Sequence, residues 1–111
     1  MARTRTVRRD KRITVERAAV AQDDYGEEIE TWAPLFDDPR FAAIYYGRGQ
    51  ERRQAAAEQG DQSATFNLRS SPDTRGIKIR DRFVLGGEIW DIVGISPIDR
   101  TEIDFTAVRA N

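Results

Sequence analysis

The apolar residues of this chain come in short alternating runs, and this pattern constrains the fold more than any other feature does. The segment "DRFVLGGEIWDIVGI", residues 81–95, has two such runs around Gly86 and Gly87, which predicts two strands joined by a tight turn. Apolar and polar side chains also alternate between residues 101 and 109, as in a strand with one buried face. The positions predicted to face inward there are Ile103, Phe105 and Ala107. Long Leu-rich stretches at helical spacing are absent from the sequence, which argues against a helical bundle.

The other segments complete a mainly β prediction. Strand-like composition recurs at residues 12–20, 29–36, 39–47 and 62–70. Pro34 favours an edge strand or a bulge, because proline has no N–H to donate to a neighbouring strand. The segment from 49 to 60 is instead rich in helix formers and ends at a glycine, which predicts a short exposed helix. The expected fold is a small β-barrel or sandwich of about six or seven strands, with a long acidic loop between strands 1 and 2 and one short helix.

Length and composition indicate one domain. The chain has 111 residues, of which 33% are charged and 39% hydrophobic. We predict a flexible basic N-terminal arm at residues 1–11 and a single β-barrel domain at residues 12–111. No apolar run approaches the roughly 20 residues that cross a bilayer, and no apolar segment follows the basic start. A soluble protein made in the cytosol is therefore expected.

The sequence offers few residues suited to catalysis or to metal binding. The sequence contains neither histidine nor cysteine, which removes the commonest acid–base group, disulfides and thiolate metal sites. Asp23 with Asp24, or Glu27 with Glu28, could form a paired-carboxylate site, but neighbours in a strand or loop mostly point apart. Calcium binding by this acidic cluster would need oxygen ligands at regular spacing, and the EF-hand pattern is not met. We predict no enzyme activity, no catalytic residue, no metal and no cofactor.

Charge is concentrated in two segments of opposite sign. The first twelve residues hold six bases against one acid: Arg3, Arg5, Arg8, Arg9, Lys11 and Arg12. Residues 22–38 hold seven acids and no base. The basic arm could contact phosphates in a salt-sensitive way or remain a solvated terminus. Because no aromatic residue interleaves with these arginines, an arm that docks on protein or lies near DNA is favoured over a reader of sequence.

The order of these features along the chain is more specific than any one of them. The segments that carry it are "RITV" (12–15), "DYG" (24–26) before Trp32, Ala42 before "GQE" (49–51), and "DRFVLGGEIWDI" (81–92). Together they resemble the head–tail joining proteins of tailed bacteriophages, the small head-closure or stopper proteins of the neck. The resemblance covers about residues 11–108, nearly the whole chain.

This resemblance implies a structural virion protein with a small β-barrel fold. Such proteins form a ring below the portal and its adaptor, seal the DNA-filled capsid and provide the tail attachment surface. The implied partners are further copies of the chain, the portal or adaptor above, a tail or tail-terminator protein below, and genomic DNA passing through the channel without sequence specificity. Rings of about six or about twelve copies both remain open.

Two segments are predicted to make the contacts in such a ring. The acidic loop would touch neighbouring subunits or the DNA channel, through Asp23, Asp24, Tyr25, Gly26, Glu27 and Glu28. The exposed helix would contribute Arg48, Glu51, Arg52 and Arg53. Two alternatives stay open: a tail-terminator ring protein, and a small nucleic-acid-binding barrel that uses the arginine-rich arm. The overall pI near 5.5 speaks against the second alternative.

Overall fold

A computed structural model describes residues 8–47 and 62–109, and the structural statements below refer to these two ranges. They contain β1 (Lys11–Gln22), β2 (Glu28–Pro34), β3 (Arg40–Tyr46), β4 (Gln62–Arg69), α1 (Pro72–Arg75), β5 (Arg82–Leu85), β6 (Glu88–Pro97) and β7 (Glu102–Arg109). The mainly β prediction is confirmed, and each predicted strand overlaps an observed one within a few residues. The helix predicted for residues 49–60 lies outside the described ranges.

The strands form one antiparallel sheet that closes on itself. Their order is β2-β1-β3-β4-β7-β6-β5, and β1 pairs in addition with β5. Closure depends on the first half of β1, in which residues 11–13 pair with β3 and residues 14–16 pair with β5. Six strands therefore make a barrel-like ring. Among the described strands β2 pairs only with β1, so it is an edge strand, as Pro34 predicted.

Aromatic side chains fill the centre of this ring. Phe66 stacks on Phe83 with 4.8 Å between ring centroids, and the edge of Trp90 meets Phe66 at 5.5 Å. Phe105 meets Phe83 at a right angle, also at 5.5 Å. The three alternating apolar residues of β7 are all buried, as predicted. Each buried aromatic contributes on the order of 2 kcal/mol through loss of apolar contact with water, so these rings supply a large part of the barrel's hydrophobic stabilisation beside the buried aliphatic residues.

The turn between β5 and β6 has the predicted form. Gly86 and Gly87 have φ angles of 58° and 84°, and Leu85 pairs with Glu88 across them. A two-residue turn with two positive φ angles matches the twist of the flanking strands, and glycine adopts it without a steric penalty.

The helix α1 lies in the segment "SPDTRG", which was expected only to turn. The Ser71 hydroxyl accepts a hydrogen bond from the Thr74 amide, and the Thr74 hydroxyl accepts one from the Ser71 amide. This reciprocal capping, with a proline in the first turn, is sufficient for a single helical turn.

The connection between β1 and β2 differs from the expected long loop. Both strands continue into the acidic segment, and only residues 23–27 lie between them. The strands continue because the segments on either side of the turn supply alanine, valine, isoleucine, threonine and tryptophan in matching register, and strand pairing satisfies their backbone groups. The long loop is thus corrected to a hairpin with a five-residue turn.

Candidate assembly interface

The second half of β1 leaves the closed sheet together with β2. From Arg17 opposite Ala33 to Gln22 opposite Glu28, the two strands pair only with each other among the described strands. We call residues 17–33 the projecting hairpin. At about 3.3 Å per residue, the chain from Glu16 to Gln22 extends about 20 Å beyond the ring. An isolated two-stranded ribbon is only marginally stable in water. The direction in which the hairpin projects from the ring therefore depends on the contacts at its base.

An ion pair between half-buried Arg17 and buried Asp81 holds the inner side of that base. Arg17 follows Ile13 and Val15 on the inward face of β1 and donates Nε to Asp81 Oδ1 at 2.8 Å and Nη2 to Asp81 Oδ2 at 2.9 Å. The Asp81 side chain is 0% exposed and also accepts the Lys78 amide at 2.7 Å. Arg17 Nη2 donates further to the Gly76 carbonyl at 3.0 Å. Hydrogen bonding to Asp81 raises the pKa of Arg17 above its ordinary value, so the guanidinium stays charged.

A second arginine holds the outer side of the base. Arg82 on β5 donates Nε to Glu16 Oε1 at 2.8 Å, and its guanidinium lies 4.0 Å from the centre of the Trp32 ring. Trp32 in turn donates its indole N–H to Glu30 Oε1 at 3.0 Å. Stacking of a planar guanidinium on indole adds a cation–π contact to the ion pair. The hairpin is therefore clamped on both faces where it leaves the barrel.

The tip of the projecting hairpin is organised by Asp23. Its Oδ1 accepts the backbone amides of Tyr25 and Glu27, each at 2.9 Å, and its own amide donates to the Glu27 carbonyl at 2.8 Å. Gly26 has a φ of 82°, a left-handed conformation that favours glycine. This turn leaves the Tyr25 side chain 92% exposed, with Asp24 beside it.

The two faces of the hairpin differ in chemistry. One face carries Ala18, Val20, Gln22, Glu28, Glu30 and Trp32, because these residues lie opposite one another in register. The other face carries Ala19, Ala21, Ile29, Thr31 and Ala33 beyond Arg17. Val20 and Ile29 are exposed although both are large and apolar. One face of the hairpin therefore carries two acids, and the other carries no charge beyond Arg17. The two faces are suited to contacts with chemically different protein surfaces.

Some of the predicted contact residues lie on the projecting hairpin, and others lie outside the described residues. The acidic residues of the predicted loop lie together at the hairpin tip and at the start of β2, where Asp23 and Gly26 also shape the turn. Arg3 and Arg5 of the basic arm lie outside the described residues. The predicted helix contacts lie outside them too: Arg48, Glu51, Arg52 and Arg53.

The described part of the basic arm is partly built into the barrel surface. Arg9 donates Nε to Asn67 Oδ1 at 3.0 Å and Nη2 to Glu102 Oε1 at 3.1 Å, on the outer face of β4 and β7. Lys11 and Arg12 are exposed residues of β1, and Arg8 is exposed before it. The arm thus offers three exposed bases in the described range, while Arg9 is engaged within its own subunit.

The residues at the hairpin base were not identified as a site from the sequence. A signal was nevertheless present, because Arg17 occupies the inward phase set by Ile13 and Val15. A charge at a buried strand position requires a buried partner, and the short-range pattern does not say which acid supplies it.

The described ranges offer neither a metal site nor a membrane-spanning helix. Residues 8–47 and 62–109 place no three His, Cys, Asp or Glu side chains where they could hold a metal ion. Nor do these ranges contain a helix long and apolar enough to cross a membrane.

Several solved structures match this fold. A chain of the virion of a native gene transfer agent particle matches with a TM-score of 0.66 and 23% identity, over 94% of this chain and 96% of that one. The solution structure of protein SF1141 from Shigella flexneri 2a matches with a TM-score of 0.68 and 20% identity, over 92% and 93% of the two chains. Both likenesses extend over most of the length of each chain.

Comparison with sequences assigns the family. No curated protein sequence matches. The sequence model of the phage head completion proteins, by contrast, matches residues 4–109, which include β1 to β7 and nearly all of the chain. The expected resemblance to head–tail joining proteins and the expected place in the virion are confirmed at the level of the family. The protein belongs to the phage head completion protein family.

Proposed function

We propose that this protein is a ring-forming head-closure subunit of the phage neck. Several copies would sit below the portal or its adaptor, seal the DNA-filled capsid and offer a surface to which the tail attaches. The observation that carries the proposal is the projecting hairpin. It leaves a closed barrel, is clamped at its base by Arg17 and Arg82, and has no packing partner of its own among the described residues.

The apolar surface that the hairpin exposes to water supports a role in contacts between molecules. Val20, Ile29 and Tyr25 expose apolar surface on a ribbon that adds nothing to the closure of the barrel. Burying these side chains against another subunit would recover their hydrophobic stabilisation, and repeated contacts around a ring would add together. The family assignment supports the same place, since head completion is an act of assembly on the capsid.

Charge supports a neck position through which DNA passes. The hairpin beyond its base carries five acids and no base: Asp23, Asp24, Glu27, Glu28 and Glu30. Acids that face a conduit would not hold phosphates, so the polymer could slide past them. This role is structural and requires no reaction at the protein.

Deletion of the gene in its phage tests the proposal, with lysates examined by negative-stain electron microscopy. We expect empty or DNA-leaking heads beside free, complete tails, and restoration of whole particles by the gene supplied in trans. Heads that stay filled beside tails of irregular length would instead indicate a tail terminator. Normal infectious particles would contradict any neck role, and DNA binding by the basic arm would then be the function to examine.

A further inference from the structure

A cavity of about 420 Å³ opens at the end of the barrel from which the hairpin projects. It lies between α1 and the connection from β6 to β7. Its apolar floor is formed by Ile77, Ile95 and Ile103, of which the first and last are almost fully buried. Arg75 and Arg100 stand at its rim and are exposed. An apolar cavity with two cations at its mouth fits a group that is aromatic or aliphatic at its centre and acidic at its edge.

The rim arginines are free to pair with an external acid. Arg100 has no hydrogen bond or ion pair with any described residue, and Arg75 donates only to the Ser70 hydroxyl, at 3.1 Å. Asp99 is the acid nearest to them in the lining. Its Oδ1 accepts the Thr101 amide and hydroxyl, both at 2.7 Å, so it is used within its own loop.

A second cavity at the same end is a weaker candidate. It has a volume of about 410 Å³ and is lined by Arg9, Arg40 and Arg69. Two of these arginines already have acidic partners, since Arg9 pairs with Glu102 and Arg40 pairs with Asp73. Among the described residues, the first cavity therefore has two arginines without an acidic partner, whereas the second has one.

The hairpin tip has the complementary chemistry. Tyr25 is the most exposed of the large apolar side chains, and Asp24 and Glu27 flank it on the turn. The Asp23 carboxylate fixes the backbone on both sides of Tyr25, so the ring is presented in a preformed turn. Tyrosine and arginine are also the residue types that most often dominate binding energy at protein interfaces.

We propose that the tip of one subunit binds the cavity of a second copy of this chain. In this contact Tyr25 enters the apolar cavity, and Asp24 and Glu27 pair with Arg75 and Arg100 of the second copy. The tip cannot reach its own cavity, because it lies about 20 Å beyond the ring on a hairpin clamped at its base. The contact joins two different surfaces, and such head-to-tail contacts form a ring when the rotation from one subunit to the next closes. This inference rests on the proposed ring function and names its subunit contact.

Cysteine crosslinking in assembled particles tests the contact directly, because the natural sequence contains no cysteine. The test variant carries Tyr25→Cys with Arg100→Cys, and particles are treated with a short bifunctional maleimide. We expect a ladder of covalent multimers on a denaturing gel. Each single variant should give no ladder. A matched control pairs Tyr25→Cys with Glu88→Cys, an exposed residue at the opposite end of the barrel. A ladder from this control, or from Tyr25→Cys with Arg69→Cys in place of Arg100→Cys, would overturn the proposal.

Charge reversal supplies a second, independent test. The double variant Arg75→Glu with Arg100→Glu should lower the yield of infectious particles about tenfold or more, and Asp24→Arg with Glu27→Arg should restore part of it. Tyr25→Phe should retain the yield that Tyr25→Ala loses. Absence of rescue together with absence of the ladder would refute the contact. If deletion of the gene still gives leaking heads, the neck function stands and the contact alone fails; if deletion leaves normal particles, the neck function itself fails.

Discussion

Asp81 occupies an environment that a carboxylate ordinarily avoids. Its side chain is withdrawn from water and depends on Arg17 and on the Lys78 amide for every charge-stabilising contact that the described residues supply. A buried ion pair adds little net stability compared with apolar packing, but loss of one partner leaves an uncompensated charge. The pair therefore acts mainly to specify where the hairpin leaves the barrel.

The substitution Arg17→Met is expected to destabilise the fold by about 3 kcal/mol, because it leaves Asp81 buried without its cation. Chemical denaturation of the purified variant measures this loss. Asp73→Asn is the matched control, since it breaks the ion pair with Arg40 on the surface and should cost less than about 1 kcal/mol. Equal losses in the two variants would contradict the special role of the buried pair.

Asp99 makes stability depend on pH in the acid range. Hydrogen bonds from the Thr101 hydroxyl and amide, and from the Glu102 amide, lower the pKa of Asp99 below its ordinary value near 3.8. Because the folded-state pKa is the lower one, this stabilisation is present above the unfolded-state pKa and is lost as the pH falls through the folded-state pKa. Asp99→Asn should therefore be less stable than the natural protein at pH 7, and the difference should shrink as the pH is lowered below about 4. A difference that grows with acid in urea titrations would contradict this assignment.

At the scale of elements, the projecting hairpin is separable from the barrel. The ring of six strands is closed by the first half of β1, so β2 contributes nothing to closure. Replacement of residues 19–31 by Asn-Gly keeps Ala18 opposite Trp32 and supplies a two-residue turn. We expect this variant to fold, with strand content by circular dichroism and a cooperative thermal transition, yet to fail in complementing a gene deletion. Loss of the cooperative transition would show instead that the barrel needs the hairpin.

The strands were predictable to different degrees, for local reasons. The β5–β6 hairpin and the inward face of β7 follow from short-range alternation and from a Gly-Gly turn that restricts the chain by itself. The acidic segment was predicted to be a loop because charged residues have low strand propensity. Glu28 and Glu30 lie on a strand because that strand pairs with β1. The helix α1 was missed because its capping depends on Ser71 and Thr74 acting together over four residues. The Arg17–Asp81 pair joins residues 64 apart, which no local pattern encodes.

At the scale of the whole molecule, charge predicts weak contact with nucleic acid. The chain has a formal net charge of −1, and the hairpin carries five acids that would oppose a phosphate surface. The isolated protein should bind duplex DNA only non-specifically, with a dissociation constant of about 10⁻⁴ to 10⁻⁶ M at physiological salt. Fluorescence anisotropy with a labelled duplex measures this, and truncation of residues 1–7 is the comparison. Nanomolar affinity that disappears on truncation would favour the nucleic-acid-binding alternative.

The edge position of β2 has a consequence for the timing of assembly. A strand with one unpaired edge invites another chain to add to it. Glu28 and Glu30 would place like charges opposite each other in a second copy that paired there in register, and Pro34 has no backbone N–H to donate at the end of the strand. Free subunits should therefore remain apart rather than grow into fibres. Under the proposed head-closure function, their association would begin only when a head holds them side by side.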